Sequence, residues 1–235
     1  MSKYSYFSNE KFPILVTDET KKLTPYTFLS DNTMWEAEQV ELFFKDIPKD
    51  KSVNIVDVGA QSGLYSLFAK YLPMATFYSF EPFKKTFDLL NDNIALNNIT
   101  NVKTHNIGLS CKKEHVILNT CVSHNGLHTI GNNPLRFNDI CKTEIEVDTI
   151  DNLFYEKNIP VDYIKIDTEG WEFFILKGAE KTIKKYKPLI QIEWDETNMH
   201  QCNVDINELS NYIDELNYER KPLLGSAEVF LYPKM

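Results

Sequence analysis

Residues 53–63 read Val53-Asn54-Ile55-Val56-Asp57-Val58-Gly59-Ala60-Gln61-Ser62-Gly63. A short β-branched run closed by glycine predicts a buried strand and a tight turn. Residues 62–72 follow with Leu64, Leu67, Phe68 and Tyr71 at helical spacing. The same pattern then recurs. Thr76-Phe77-Tyr78-Ser79-Phe80 is a second predicted strand, ended by Glu81-Pro82. Residues 84–97 place Phe87, Leu90 and Ile94 on one helix face, and residues 102–107 form a third strand. Strand and helix alternating through short links predict a parallel sheet covered on both faces.

Downstream, residues 115–118 and 121–133 read as a hairpin and an irregular loop. Residues 144–147 alternate polar and apolar, as a short strand does, and Asp148 or Thr149 caps a helix reaching Leu153-Phe154. Residues 162–167 and 189–194 are further buried strands. Helices are expected over 171–176, 179–185 and 206–216. Residues 220–224 and 228–232 flank Gly225-Ser226 and suit a terminal antiparallel hairpin. Upstream, residues 1–31 read as an irregular or lightly stranded extension. Asn32 or Thr33 caps a helix expected to run until Pro48-Lys49-Asp50 stops it. The expectation is an α/β fold whose sheet is mostly parallel and finishes antiparallel, with one domain over 32–235.

The whole chain fits that size. Its 235 residues sit between one domain and two, and 43% hydrophobic residues suffice for a core. A net charge of −9 argues against nucleic acid and anionic membranes as partners, since both attract cationic surfaces. No apolar run approaches the ~18–20 residues of a membrane span. Met1-Ser2-Lys3-Tyr4 does not resemble a signal peptide, so the expected location is cytoplasmic. Cys111, Cys121, Cys141 and Cys202 are dispersed and suit free thiols. Cys121, His124 and His128 have partial zinc-site spacing, but Gly126 breaks the helix that spacing needs and no fourth ligand is evident.

Chemistry concentrates at the strand ends. Gly59 permits a tight turn and Gly63 allows close helix–strand packing. Glu81 ends the next strand about 20 residues on, where an acid can bind both hydroxyls of a ribose. A dinucleotide fingerprint has glycine where this chain has Gln61, which hinders approach of a diphosphate. A nucleoside without phosphate, S-adenosylmethionine, needs no such approach, and its positive sulfonium tolerates nearby Asp57. The plain alternative is that both glycines serve only a strand–helix turn.

Several blocks together resemble a family. Residues 56–63, then Phe80-Glu81-Pro82, then Lys165-Ile166-Asp167-Thr168-Glu169-Gly170-Trp171-Glu172 with Leu176-Lys177-Gly178-Ala179, are similar to the FkbM methyltransferases. Asn106-Ile107-Gly108-Leu109-Ser110 and Val147-Asp148-Thr149-Ile150-Asp151 extend the resemblance. It implies a three-layer, Rossmann-like methyltransferase fold that binds S-adenosylmethionine. It implies cofactor contacts from Asp57, Gly59, Ala60, Gln61 and Gly63, a ribose grip from Glu81, and adenine contacts from Pro82, Phe83 and Asn106. Core packing for Phe83 and a turn role for Asn106 are the ordinary alternatives. The resemblance also carries the acceptor class: a hydroxyl of a sugar or glycan.

Asp167 ends its strand at the edge that holds Gly59 and Glu81. Glu193 and Asp195 lie at the end of the following one and alternate with Trp194, so both carboxylates can face the same side. A carboxylate there can take the proton of an alcohol during methyl transfer, so Asp167 and Glu193 are the candidate catalytic residues. Alternatively Asp167 with Glu193 or Asp195 holds a divalent cation, Mg or Mn. Asp167 as a helix cap, and Glu169 and Glu172 as acids favouring a helix start, are the structural alternatives. Lys165 shares the strand face of Asp167 and can pair with an acid or the substrate. His124 and His128 lie in a loop that can cover the acceptor, and Trp35 and Glu36 can close over the cofactor. Two other functions compete: a nucleotide-dependent oxidoreductase, and a non-catalytic module that binds S-adenosylmethionine.

Overall fold

The computed structural model describes residues 3–8, 12–24, 37–45, 47–121, 128–131 and 140–234. Trp35, Glu36, His124 and the Asn32/Thr33 cap lie outside them.

The chain opens with β1 (Lys3–Ser8), β2 (Phe12–Thr17), α1 (Asp18–Leu23) and α2 (Ala37–Lys45). Then come β3 (Val53–Val58), a 3-10 turn (Ser66–Tyr71), β4 (Ala75–Phe80), α3 (Lys84–Leu96) and β5 (Val102–His105). Next are β6 (Gly108–Leu109), β7 (Glu114–Cys121) and β8 (Ile140–Asp148). A π-type turn (Asp151–Tyr155) leads to β9 (Tyr163–Ile166), α4 (Glu172–Lys177), α5 (Glu180–Tyr186) and β10 (Leu189–Glu193). The chain finishes with α6 (Glu196–Gln201), α7 (Ile206–Glu215), β11 (Tyr218–Pro222) and β12 (Glu228–Pro233).

The main sheet has the order β11-β12-β10-β9-β3-β4-β5. Five strands are parallel, and the β11–β12 hairpin adds antiparallel against β10. Side-chain alternation along β3 explains the layers. Val56 and Val58 enter a core shared with Phe173, Ile183 and Leu209. Val53 and Ile55 enter the opposite core with Phe43, Leu67 and Phe68. Both faces of β3 are therefore buried, which accounts for its near-continuous apolar run.

Three details depart from the sequence expectations. The helix expected over 62–72 is a 3-10 turn, drawn onto the sheet so that Ser66, Leu67, Phe68 and Ala69 are all buried. β8 runs nine residues rather than four and joins β6 and β7 in a separate sheet. Its first half is mostly exposed, so no inward apolar face announced it. The unexpected α6 starts at Asp195, whose carboxylate accepts from the N–H groups of Thr197 (2.8 Å) and Asn198 (2.9 Å).

The N-terminal hairpin is stitched to α3 by buried asparagines. Asn93 Oδ1 accepts from Thr17 N (3.0 Å), and its Nδ2 donates to the Ser62 carbonyl (2.9 Å). Asn97 Oδ1 accepts from Leu15 N, and Nδ2 donates to the Leu15 carbonyl. Removing Asn93 leaves buried backbone groups unpaired. Asn93→Ala is expected to cost about 2–3 kcal/mol in urea unfolding. Hydrogen exchange at the Thr17 amide is expected to accelerate with it.

Candidate active site

The turn after β3 is pressed against the end of β9. Gly59 has φ +76°, and a Cβ there would lie 1.9 Å from the Asp167 carbonyl oxygen. No other residue fits both the conformation and the space. Gly59 and Ala60 each donate N–H to the Phe80 carbonyl (3.1 and 3.0 Å), tying the turn to β4 as well. Gln61 adopts φ +50°, a left-handed conformation costing a non-glycine residue roughly 1–2 kcal/mol. Its backbone N–H points at Glu81. At Gly63 a side chain would meet Leu90 and Leu67, so this glycine brings the turn down onto α3.

Glu81 is buried at the tip of β4. One carboxylate oxygen accepts from Gln61 N (3.0 Å), the other from Phe83 N (2.9 Å). Burial pushes its pKa up to about 7 despite these two donors. Asn106 Nδ2 donates to the carbonyls of Glu81 and Pro82 (both 2.9 Å), so it clamps the bend that carries the acid. Phe83 is half-buried and meets the His128 ring edge-on at 4.7 Å, beside Leu118, Ile145 and Val147 of the small sheet. Burial lowers the His128 pKa to about 4, which leaves it neutral and weakly basic. Asp57 lies beneath the turn, buried, accepting from Ser66 Oγ at 2.6 Å. Burial raises its pKa, against the pull of Lys165 and Ser66.

At the tips of β9 and β10, oxygens of Asp167, Glu169 and Glu193 lie within 4.8 Å of one another. Glu169 thus stands in the acidic trio where the sequence reading put Asp195, because Asp195 is spent on capping α6. Asp167 does not cap a helix. Its Oδ2 accepts from Lys165 Nζ (2.9 Å), while Glu172 Oε1 takes both the N–H and the hydroxyl of Thr168 (2.8 Å each). Glu172 is fully buried, which pushes its pKa up to about 7. Glu193 is pushed well above the ordinary range by burial, then by Asp167, Glu169 and Glu172. Glu169 has φ +55° and accepts from Asn198 Nδ2 (2.7 Å), which aims it into the trio. Its sequence signals are its place in the block over 165–172 and the following Gly170. A Cβ there would lie 2.3 Å from the Asn198 carbonyl oxygen, so only glycine admits α6 this close.

A mainly parallel seven-stranded sheet between two apolar cores, finished by an antiparallel C-terminal hairpin, gives this chain the Rossmann-like fold of methyltransferase domains. The model of the methyltransferase FkbM domain matches residues 57–220, and the chain belongs to this family. It is similar to methyltransferase sdnD of Sordaria araneosa, 28% identical over 159 residues. That match covers 54% of this chain and 60% of the relative, so it spans less than two thirds of the relative's length. Methyltransferase 1 of Beauveria bassiana is 25% identical over 169 residues, covering 60% of this chain and 68% of the relative. The fold is shared with solved structures. Methyltransferase FkbM from Methylobacillus flagellatus has TM-score 0.54 at 20% identity, covering 77% of this chain and 44% of that one. SMU.1697c from Streptococcus mutans, solved in complex with SAH, has TM-score 0.51 at 12% identity, covering 84% and 97%.

Buried acids make stability depend on pH. The unfolded chain releases the Glu81 proton near 4.5, whereas the folded protein holds it to about 7. Glu81 therefore weakens the fold progressively as pH rises from about 4.5 to about 7. In urea unfolding at pH 5 and pH 8, Glu81→Gln is expected to lose less stability than wild type, by on the order of 2 kcal/mol.

Proposed function

We propose that the chain transfers the methyl group of S-adenosylmethionine to a hydroxyl oxygen of a sugar or glycan. The observation that carries the reading is the Glu81 carboxylate, held by Gln61 N and Phe83 N beside a turn pinned to Asp167. A buried acid there suits two ribose hydroxyls, which donate to its charged form and offset its desolvation. The Gln61 side chain stands where a dinucleotide site needs a second glycine. When bound, S-adenosylmethionine supplies an electrophilic methyl group on a positive sulfur. Asp167, fixed by Lys165, orients the acceptor hydroxyl. In its ionised form Glu193, made a strong proton acceptor by burial and acidic neighbours, takes the hydroxyl proton while the methyl–sulfur bond breaks and the C–O bond forms, leaving S-adenosylhomocysteine. Much of the acceleration comes from alignment of the two partners.

A divalent cation, Mg or Mn, is a second reading, favoured by the three carboxylate oxygens within 4.8 Å. Asp167, Glu169 and Glu193 would hold it, and it would lower the pKa of the acceptor hydroxyl. Full activity after EDTA treatment would eliminate it.

The first test is a screen of sugars and glycans with labelled S-adenosylmethionine, read by mass shift. Tight NAD binding without S-adenosylmethionine binding would overturn the reading. Asp167→Asn and Glu193→Gln are each expected to lower methyl transfer roughly 10²–10⁴-fold while calorimetric cofactor affinity holds within about threefold. Cofactor affinity is expected to rise with pH through about 7, because ribose hydroxyls prefer ionised Glu81. Glu81→Gln is expected to weaken binding about 10–100-fold and abolish that pH dependence.

A further inference from the structure

Ser79, Asp57, Lys165 and Gln191 are register partners on β4, β3, β9 and β10. Register partners leave the sheet on one face, so the four side chains form a row. All are buried, Lys165 at 4% exposure included. Two residues further along the chain lie Glu81, Gly59 and Asp167, each just past the end of its strand, and Glu193, the last residue of β10. The polar row thus lies directly before the candidate site in each strand, and Lys165 reaches from it to Asp167.

The row is internally bonded. Ser66 Oγ donates to Asp57 (2.6 Å) and lies 2.7 Å from Ser79 Oγ. Gln191 Nε2 donates to Tyr65 OH (2.7 Å) and to buried Glu228 (2.9 Å). Lys165 Nζ lies 4.7 Å from the centre of the Tyr65 ring and 2.9 Å from Asp167 Oδ2. Tyr65 and Ser66 belong to the chain that follows the glycine turn, so the row links the cofactor side of the site to the acceptor side. The ammonium of Lys165 has given up water for an aromatic face and a carboxylate. Such an arrangement is retained only when geometry compensates the desolvation.

We propose that Lys165 is a positioning residue: it reaches up from this row and fixes the Asp167 carboxylate toward the acceptor, against repulsion from Glu169. Without the ammonium, repulsion between Asp167 and Glu169, whose oxygens lie within 4.8 Å, is unopposed, and Asp167 turns away. The proposal rests on the acceptor role given to Asp167 above.

Crystal structures of wild type, Lys165→Met and Lys165→Arg test it, together with calorimetry using S-adenosylmethionine. The expected result is an Asp167 side chain turned away in the Met variant and held in the Arg variant. Cofactor affinity should change less than about threefold. On the acceptor returned by the screen, Lys165→Met is expected to lower kcat roughly 10–100-fold with little change in cofactor KM, and Arg to restore part of it. An Asp167 that stays in place in the Met variant overturns the proposal, as does equal displacement in both variants. If Lys165→Met fails to fold, Lys165→Gln replaces it, since it keeps polarity and removes only charge. A screen that returns no acceptor sinks the proposed function, but the crystallographic comparison still decides the role of Lys165.

Discussion

The contact between Gly59 and the Asp167 carbonyl oxygen is the constraint on which the site depends. A Cβ at residue 59 would lie 1.9 Å from that oxygen, so the turn after β3 can close onto β9 only with glycine. Once closed, the turn presents Gln61 N to Glu81 on one side and abuts the acidic tip of β9 on the other. The Glu81 end and the Asp167 end therefore share one rigid edge of the sheet. Groups that must react in line gain most from such shared rigidity.

The second constraint is charge. Asp57, Glu81, Glu172 and Glu228 are buried, and Glu193 has a buried oxygen with no hydrogen-bond partner among the described residues. Backbone N–H groups, Ser66 and Thr168 meet some of this demand, and Lys165 meets part of the rest. The balance remains unfavourable, which is why several of these acids hold protons to higher pH. A site that welcomes positive charge is the physical consequence.

Much of the architecture is legible in the sequence. β3, β4, β9 and β10 fall where apolar runs end in Gly59, Glu81, Asp167 and Glu193, and the terminal hairpin brackets Gly225. The first half of β8 was not legible, because an exposed ribbon has no inward face to pattern. Nor was the 3-10 turn: its apolar spacing matches a helix, and only the pull of Ser66 toward Asp57 shows how closely it lies on the sheet. Asn93 and Asn97 read as ordinary polar positions of a helix, yet they are buried couplings to the N-terminal hairpin.

The sequence by itself determined the strand–glycine–helix order, the acid at the end of β4 and the acid at the end of β9. Each is a local matter of residue type and period. Tertiary structure decided which carboxylates meet. Glu169 joins Asp167 and Glu193 because a left-handed backbone and Asn198 turn it inward, while Asp195 is claimed by its own helix. It also decided that Glu172 clamps Thr168 and that Lys165 holds Asp167. Those outcomes depend on register across β3, β9 and β10 and on the close approach of α6, which no local pattern encodes.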